Sequence, residues 1–280
     1  MSSLLSRYRP PRPMKGALLS ALLLLGACKP ATPPAPASPQ RETSSEQKQA
    51  VEIRQHRFAE VGFRVVSVDL RRADVRLIRQ GANGQTLSTF AQLEAAMKAE
   101  GRTLLAATNA GIFKRDAAEH PLPEGLFVQD GVTLTPLNRE EGQGNFYWKP
   151  NGVFFLREDG AGIATRDRFS PQGVLQATQS GPLLFDPEGL HEGFEGSSSR
   201  KELRSAVGVD ARDPHRVYFV LASDPSRFQT LAAFMREELG CTSALYLDGV
   251  ISQLWTPAAA DRNAPAPSDY AGFLAVTARR

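Results

Sequence analysis

Short apolar or alternating runs, each cut off by glycine, asparagine or aspartate, constrain this chain more than anything else in it. Phe63 to Leu70, Ala73 to Arg79, Thr103 to Thr108, Gly125 to Gln129, Gly152 to Leu156, Leu183 to Phe185, Ala206 to Val209, Val217 to Leu221, Ala244 to Leu247 and Gly272 to Val276 all read as strands. The first two, separated by a charged turn, suggest an opening hairpin. Asp130-Gly131 and Asp159-Gly160 stand between such runs as turn pairs. Two stretches carry a helical period instead. Phe90, Leu93 and Met97 share a face, with Ser88 or Thr89 as cap and Gly101 as terminator. Phe228, Leu231, Met235 and Leu239 share another, with Ser226 and Gly240 in those roles. Many strands and two sparse helices predict an α+β fold: one domain, a strand-rich mixed sheet assembly with few packed helices.

The N-terminus belongs to another category. Arg7, Arg9, Arg12 and Lys15 precede the apolar run Ala17 to Leu25, and small residues lead into Cys28. The run is under half the ~20 residues that span a bilayer, so it reads as a secretion signal and not an anchor helix. Leu25-Gly26-Ala27-Cys28 looks like a lipobox, with Cys28 as the lipidation site; the competing reading is an ordinary signal with a chance cysteine. The expected organisation is a signal peptide at 1–27, a disordered Pro/Ala/Ser-rich tether at 28–50, and a folded domain at 51–280. A periplasm-facing envelope lipoprotein follows, touching the membrane only through its lipid. Lys29 after the cysteine, where an aspartate would favour retention, points to the outer membrane.

Removing that signal alters the charge. It holds four of the 33 basic residues and none of the 30 acidic ones, so what remains carries −1. A nucleic-acid partner loses its main support, because backbone binding needs a basic field. With Cys28 lipidated, Cys241 is a lone thiol, read as buried structure or, alternatively, as a nucleophile.

Polar-glycine clusters sit where strands end, the positions from which glycines admit a ligand and neighbouring amides orient it. They are Asn109-Ala110-Gly111-Ile112-Phe113, Gly125-Leu126-Phe127-Val128-Gln129-Asp130-Gly131, Pro136-Leu137-Asn138, Gly142-Gln143-Gly144-Asn145-Phe146, Pro150-Asn151-Gly152-Val153-Phe154, Gln179-Ser180-Gly181-Pro182, Arg204-Ser205-Ala206-Val207-Gly208 and Ala244-Leu245-Tyr246-Leu247-Asp248-Gly249. In order and spacing this set resembles the phosphodiester glycosidase family, which includes the lysosomal uncovering enzyme, and it is closest to a bacterial branch. The resemblance covers roughly Phe63 to Ala278. One departure stands out: Asp248-Gly249 is followed by Val250-Ile251-Ser252-Gln253, where better-studied members carry more glycine and a serine. A β-branched pair stiffens that stretch, while Ser252 still offers a hydroxyl.

The resemblance implies cleavage of a bond from an anomeric carbon to a phosphate oxygen. Positive charge builds on the sugar while the phosphate leaves with negative charge. Such chemistry needs a cation or dipoles on the phosphate and a carboxylate near the anomeric centre. Asp248 is the candidate carboxylate, its alternative being an Asp-Gly turn residue. Arg204 is the candidate for phosphate, since guanidinium matches it bidentately; the alternative is a solvated surface arginine. His120, in a loop from Lys114 to Pro123, is the candidate acid, with Glu124 behind it. Asn109, Gly111, Asn145, Ser180, Gly181, Gly249 and Ser252 form the candidate substrate-binding set. Ser180 lacks the frame of a hydrolase nucleophile.

No metal-ligand spacing and no nucleotide loop is present, so neither a metal nor another cofactor is expected. The resulting expectation is an envelope-anchored hydrolase of a sugar-phosphate diester or related glycan. Its rival is a non-catalytic glycan-binding lipoprotein of the same fold.

Overall fold

The computed structural model describes residues 50–194, 200–249, 251–258 and 269–279. The expectations for the signal, Cys28 and the tether, and for Val250, lie outside them. Strands are numbered in chain order. The largest sheet has seven, in the spatial order β1 (Val51–Phe58), β2 (Val61–Asp69), β15 (Arg216–Ala222), β14 (Ser205–Asp210), β16 (Cys241–Asp248), β12 (Leu183–Asp186) and β13 (Gly189–Leu190). A five-stranded sheet runs β10 (Gly160–Thr165), β9 (Gly152–Arg157), β11 (Gln176–Ser180), β7 (Phe127–Gln129) and β8 (Val132–Thr135). A four-stranded sheet runs β17 (Leu254–Trp255), β4 (Leu104–Asn109), β18 (Phe273–Ala278) and β3 (Ala73–Ile78). A hairpin of β5 (Phe113–Arg115) and β6 (Pro121–Pro123) stands apart. The fold is α+β and strand-rich, as expected, and the ladders pair antiparallel.

The inner faces of the three sheets meet in one core. Val66, Val68, Val207, Phe219, Leu245 and Leu247 from the seven-stranded sheet pack with Val75, Leu77, Leu274 and Val276 from the four-stranded sheet and with Phe127 and Phe154 from the five-stranded one. The helices cover outer faces. Helix α1 (Phe90–Ala99) lays Leu93 and Met97 on Ile78, Leu104, Ala107 and Phe273. Full burial of each such side chain contributes about 1.5–3 kcal/mol. Helix α2 (Phe228–Ala233) does the same for the seven-stranded sheet, placing Phe228 and Leu231 beside Phe63, Val220 and Tyr246. Strands buried on both faces read as nearly continuous apolar runs, which is why the sequence signals them so strongly.

Helix α1 starts as its sequence dictates. Thr89 accepts from the Gln92 amide at 3.2 Å while Gln92 reaches back to the Thr89 amide, a reciprocal capping box. Three other expectations change. The opening hairpin of Phe63–Leu70 with Ala73–Arg79 does not form: β2 pairs with β1 and β15, and β3 pairs with β18 in another sheet. Its true partner, β1, has a largely exposed, polar pattern, and the turn joining them is Ala59-Glu60, with φ of 45° and 66°. That geometry ordinarily selects Asn-Gly or Asp-Gly, so no local signal marked it. The second helix yields to a π-helical turn, Phe234–Glu238, before Gly240, and Ser226 is not its cap: Arg227 occupies the cap position without a side-chain bond. The segment from Lys114 to Pro123 is the β5–β6 hairpin and not an open loop.

Candidate functional site

Four strand ends and the chain after β16 converge. Ser205, opening β14, lies opposite Asp248, closing β16, while Ala206 lies opposite Tyr246; Leu247 is therefore the extra residue of a bulge. Bulges re-aim side chains at the end of a ladder. The carbonyl of Leu247 accepts from Ser180 Oγ at 3.1 Å, and Ser180 Oγ accepts from the Ile112 amide at 3.3 Å. Past Asp248 the chain is held on three sides. Ser252 Oγ meets Ser205 Oγ at 2.8 Å, Tyr270 donates to the Ile251 carbonyl at 2.8 Å, and Thr108 donates to the Gln253 carbonyl at 2.8 Å. Asn109, Gly111, Ser180, Ser205, Asp248, Gly249 and Ser252 thus belong to one bonded neighbourhood drawn from all three large sheets.

Asp248 is its electrostatic centre. Loss of solvent around the carboxyl pushes its pKa up to about 7 from 3.8, against the Gly249 amide, which donates to Oδ1 at 2.6 Å and favours the charged form. Tyr246, two residues earlier, is 1 % exposed, and its hydroxyl lies 2.8 Å from where a Cβ on Gly249 would stand. Burial pushes that phenol up, the Asp248 charge adds to the effect, and both the Arg204 charge and a hydrogen bond from the Asn145 side chain oppose it. The Tyr246 hydroxyl accordingly stands beside Gly249, bonded to the Asn145 and Arg204 side chains and within the field of the Asp248 charge. Burial also raises the Tyr270 phenol, with Asp248 contributing again.

Arg204 is no solvated surface arginine; it is 2 % exposed. Its guanidinium stacks 3.6 Å from the Phe228 ring centre, and Nε donates to the Ser226 carbonyl at 2.8 Å. Nη1 is buried without a hydrogen-bond partner among the described residues. Desolvation lowers its pKa, yet guanidinium stays charged at any working pH. Asn109, 1 % exposed at the end of β4, sets one end of its side-chain amide 3.2 Å from Thr108 Oγ1, whose single proton goes to the Gln253 carbonyl, and the other end of the amide is buried without a partner among the described residues. Buried polar atoms without protein partners are the kind of group that an anionic or hydroxyl-rich ligand satisfies.

The remaining candidates are placed as follows. Asn145 opens a 3-10 turn, Asn145–Tyr147, which presses on Gly181: a Cβ there would stand 2.8 Å from the Phe146 carbonyl oxygen. Gly111 has φ of 126°, and a Cβ on it would meet Ser180 at 3.2 Å, so glycine is needed twice over. The Ser180 and Ser252 hydroxyls already have protein partners. His120 sits on the turn of the β5–β6 hairpin, its side chain 74 % exposed and 3.5 Å from Asp116. Glu124 is more enclosed: it accepts from the Tyr147 hydroxyl at 2.5 Å and faces Lys114 at 3.6 Å. Cys241 is buried, and desolvation drives its thiol pKa far up, which suits structure and not nucleophilic attack. Among the described residues no group of three His, Cys, Asp or Glu side chains could hold a metal, and no helix is long and apolar enough to cross a membrane.

Sequence reasoning passed over Tyr246, Ser205 and Tyr270. Tyr246 and Ser205 stand inside the motifs that carry Asp248 and Arg204, one strand step from the residue singled out. Tyr270 has no such neighbour, and only the return of β18 beside β4 brings it in.

An α+β protein with its polar groups gathered at the ends of strands from three sheets is therefore the frame. The profile of the phosphodiester glycosidase family matches residues 102–274, and the chain belongs to that family. It is 30 % identical over 182 residues to the uncharacterized protein YigE of Escherichia coli K12, covering 65 % of this chain and 69 % of that protein. The fold is similar to the catalytic domain of zebrafish N-acetylglucosamine-1-phosphodiester α-N-acetylglucosaminidase, auto-inhibited by its pro-peptide (TM-score 0.54, 17 % identity, 82 % of each chain). It also resembles a hypothetical protein from Synechocystis (TM-score 0.50, 15 % identity, 82 % of this chain and 62 % of that one).

Proposed function

We propose that this protein is an envelope-anchored hydrolase that cleaves the bond between an anomeric carbon and a phosphate in a sugar-phosphate diester or related glycan. The single observation that carries the reading is the convergence of Asp248, at the bulged end of β16, with the strand-end polar groups Ser180, Ser205 and Ser252, beside a buried Arg204 that lies against the Phe228 and Tyr246 rings. Family membership supplies the reaction class.

At neutral pH the Asp248 carboxyl is divided between its two forms. Ionised, it stabilises the developing sugar cation or takes a proton from the attacking water; protonated, it can give one up. Arg204 Nη1 donates to a phosphate oxygen and offsets the charge that the leaving group acquires. Tyr246 steadies Arg204, and Asn109 and Asn145 orient sugar hydroxyls. Cys28 carries the lipid and the chain after it is the tether, which places the domain on the periplasmic side of the outer membrane. His120, exposed and tied to its own hairpin, has less support as the acid than Asp248 itself.

The test is release of free sugar from a sugar-1-phosphodiester by the purified full chain. Asp248→Ala and Arg204→Ala should abolish release while circular dichroism stays unchanged. Equal turnover by folded variants would remove both roles. Glycan affinity without turnover across a broad substrate panel would favour the rival, a binding lipoprotein on this fold, for which the protein-bound Ser252 hydroxyl speaks.

A further inference from the structure

A second polar feature lies on the chain that leaves the Asn145–Tyr147 turn. Lys149, Pro150, Asn151, Thr165, Arg166 and Asp167 line an open cleft of about 270 Å³. Backbone bonds fix its walls: Thr165 pairs with Gly152 across β10 and β9, and the Arg166 amide donates to the Asn151 carbonyl at 3.0 Å. Asn151 in turn donates to the Phe146 carbonyl at 3.0 Å and packs on Gly181. One short segment, 145–151, therefore reaches the Tyr246 hydroxyl at one end and this cleft at the other.

The charges at the cleft are unequal in freedom. Arg166 is held, its side chain 13 % exposed and its Nη1 directed at the Arg139 carbonyl at 3.4 Å. Asp167, bonded to Arg166 Nε at 2.9 Å, is 70 % exposed, and Arg139 approaches it at 3.4 Å. Lys149 pairs with Glu141, itself 72 % exposed. The Arg166 hydrogen bond, and then the charges of Arg166, Arg139 and Lys149, hold the Asp167 carboxyl below its ordinary range. Lys149 and Arg166 thus line the cleft, with Arg139 reaching Asp167 beside it, and the anions facing these cations are exposed side chains. Pairs of that kind contribute little to stability, about 0–1 kcal/mol, and exchange readily.

We propose that this cleft is an anion subsite that takes a second phosphate of the same substrate, so that the protein acts on a glycan with repeating phosphates and not on an isolated diester. The inference rests on the hydrolase reading for its substrate. A phosphate presents more acceptor oxygens than the Asp167 carboxylate and meets a guanidinium already fixed in place, so, carried by the rest of the same substrate, it displaces the exposed Asp167 side chain.

The test uses the full chain and two synthetic ligands, a sugar-phosphate diester and its dimer, which carries one phosphate more. The dimer should bind roughly tenfold more tightly in low salt, as expected when a second contact is made intramolecularly. Lys149→Glu, at an exposed position, should erase that gain, and Asp167→Asn should enlarge it; Arg166→Ala should act like Lys149→Glu if it folds. Equal affinity for the two ligands, or a gain that survives Lys149→Glu, overturns the subsite. A dimer bound in this pattern and never cleaved leaves the subsite standing and removes the hydrolase reading. Cleavage of both ligands with no preference does the reverse.

Discussion

Replacing Asp248 by Asn should make the protein more stable above neutral pH and leave it close to wild type in acid. The carboxyl pKa is raised to about 7 from 3.8, so the folded state holds a proton that the unfolded chain gives up. A group with a raised folded pKa contributes its full stability below the unfolded value and loses it as pH climbs through the folded one. The window thus runs from about pH 4 to pH 7, and the whole cost is present by pH 8–9. At about 1.4 kcal/mol per pKa unit, roughly three units correspond to an upper bound near 4 kcal/mol. Asparagine keeps the shape and the bond from the Gly249 amide but has nothing to ionise. For a domain of this size 1 kcal/mol moves the melting temperature by about 2–4 °C, so the variant should melt above wild type at pH 9, by at most on the order of 10 °C, and within a degree or two of it at pH 4. Calorimetry or circular dichroism across pH 4 to 9 reads this directly. A difference that is constant with pH, or a variant that is less stable at pH 9, would refute the account of a desolvated carboxyl. If the site is catalytic, the more stable variant is also the inactive one, the usual trade at a functional group.

Gly249→Ala should destabilise the fold by about 1–3 kcal/mol, because the new methyl meets the Tyr246 hydroxyl at 2.8 Å, and adding Tyr246→Phe should restore most of the loss in urea denaturation. Removing one member of the buried Ser205–Ser252 pair should cost about 1–3 kcal/mol, and removing both should cost less than the sum, which a double-mutant cycle measures. His191 is buried against Trp148 and Phe194, and desolvation lowers its pKa from 6.5. The unfolded chain therefore takes up the proton first, and stability should fall as pH drops below about 6.5; His191→Phe should flatten that part of the profile.

Much of the candidate site was legible because it is written in contiguous motifs. Asn109-Ala110-Gly111, Gln179-Ser180-Gly181 and Asp248-Gly249 are each short enough for glycine and its polar neighbour to be seen together, and the structure joins all three through Ser180. What stayed hidden was what surrounds each side chain. Arg204 stands beside Lys201 and Glu202 in the sequence, which suggests a surface position, whereas in the structure it is buried against the rings of Phe228 and Tyr246, with the Glu202 charge still acting on it. Asp248, the candidate carboxylate, carries in the sequence no sign of the loss of solvent that shifts it.

By itself the sequence determined whatever depends on neighbours within a turn or two. That includes the period that makes α1 a helix, the Thr89–Gln92 capping box that starts it, the Asp130-Gly131 turn between β7 and β8, and the strand character of the buried runs. Tertiary structure alone decided which strands pair, so that β2 and β3, adjacent in the chain, entered different sheets. It also decided that helix α2 gives way to a π-helical turn, that a guanidinium is buried, and that a carboxyl loses much of its solvent near one tyrosine. Periodicity and capping act over a few residues through backbone hydrogen bonds, and a local window captures them. Strand partnership and desolvation depend on segments that lie scores of residues apart, and no local window contains them.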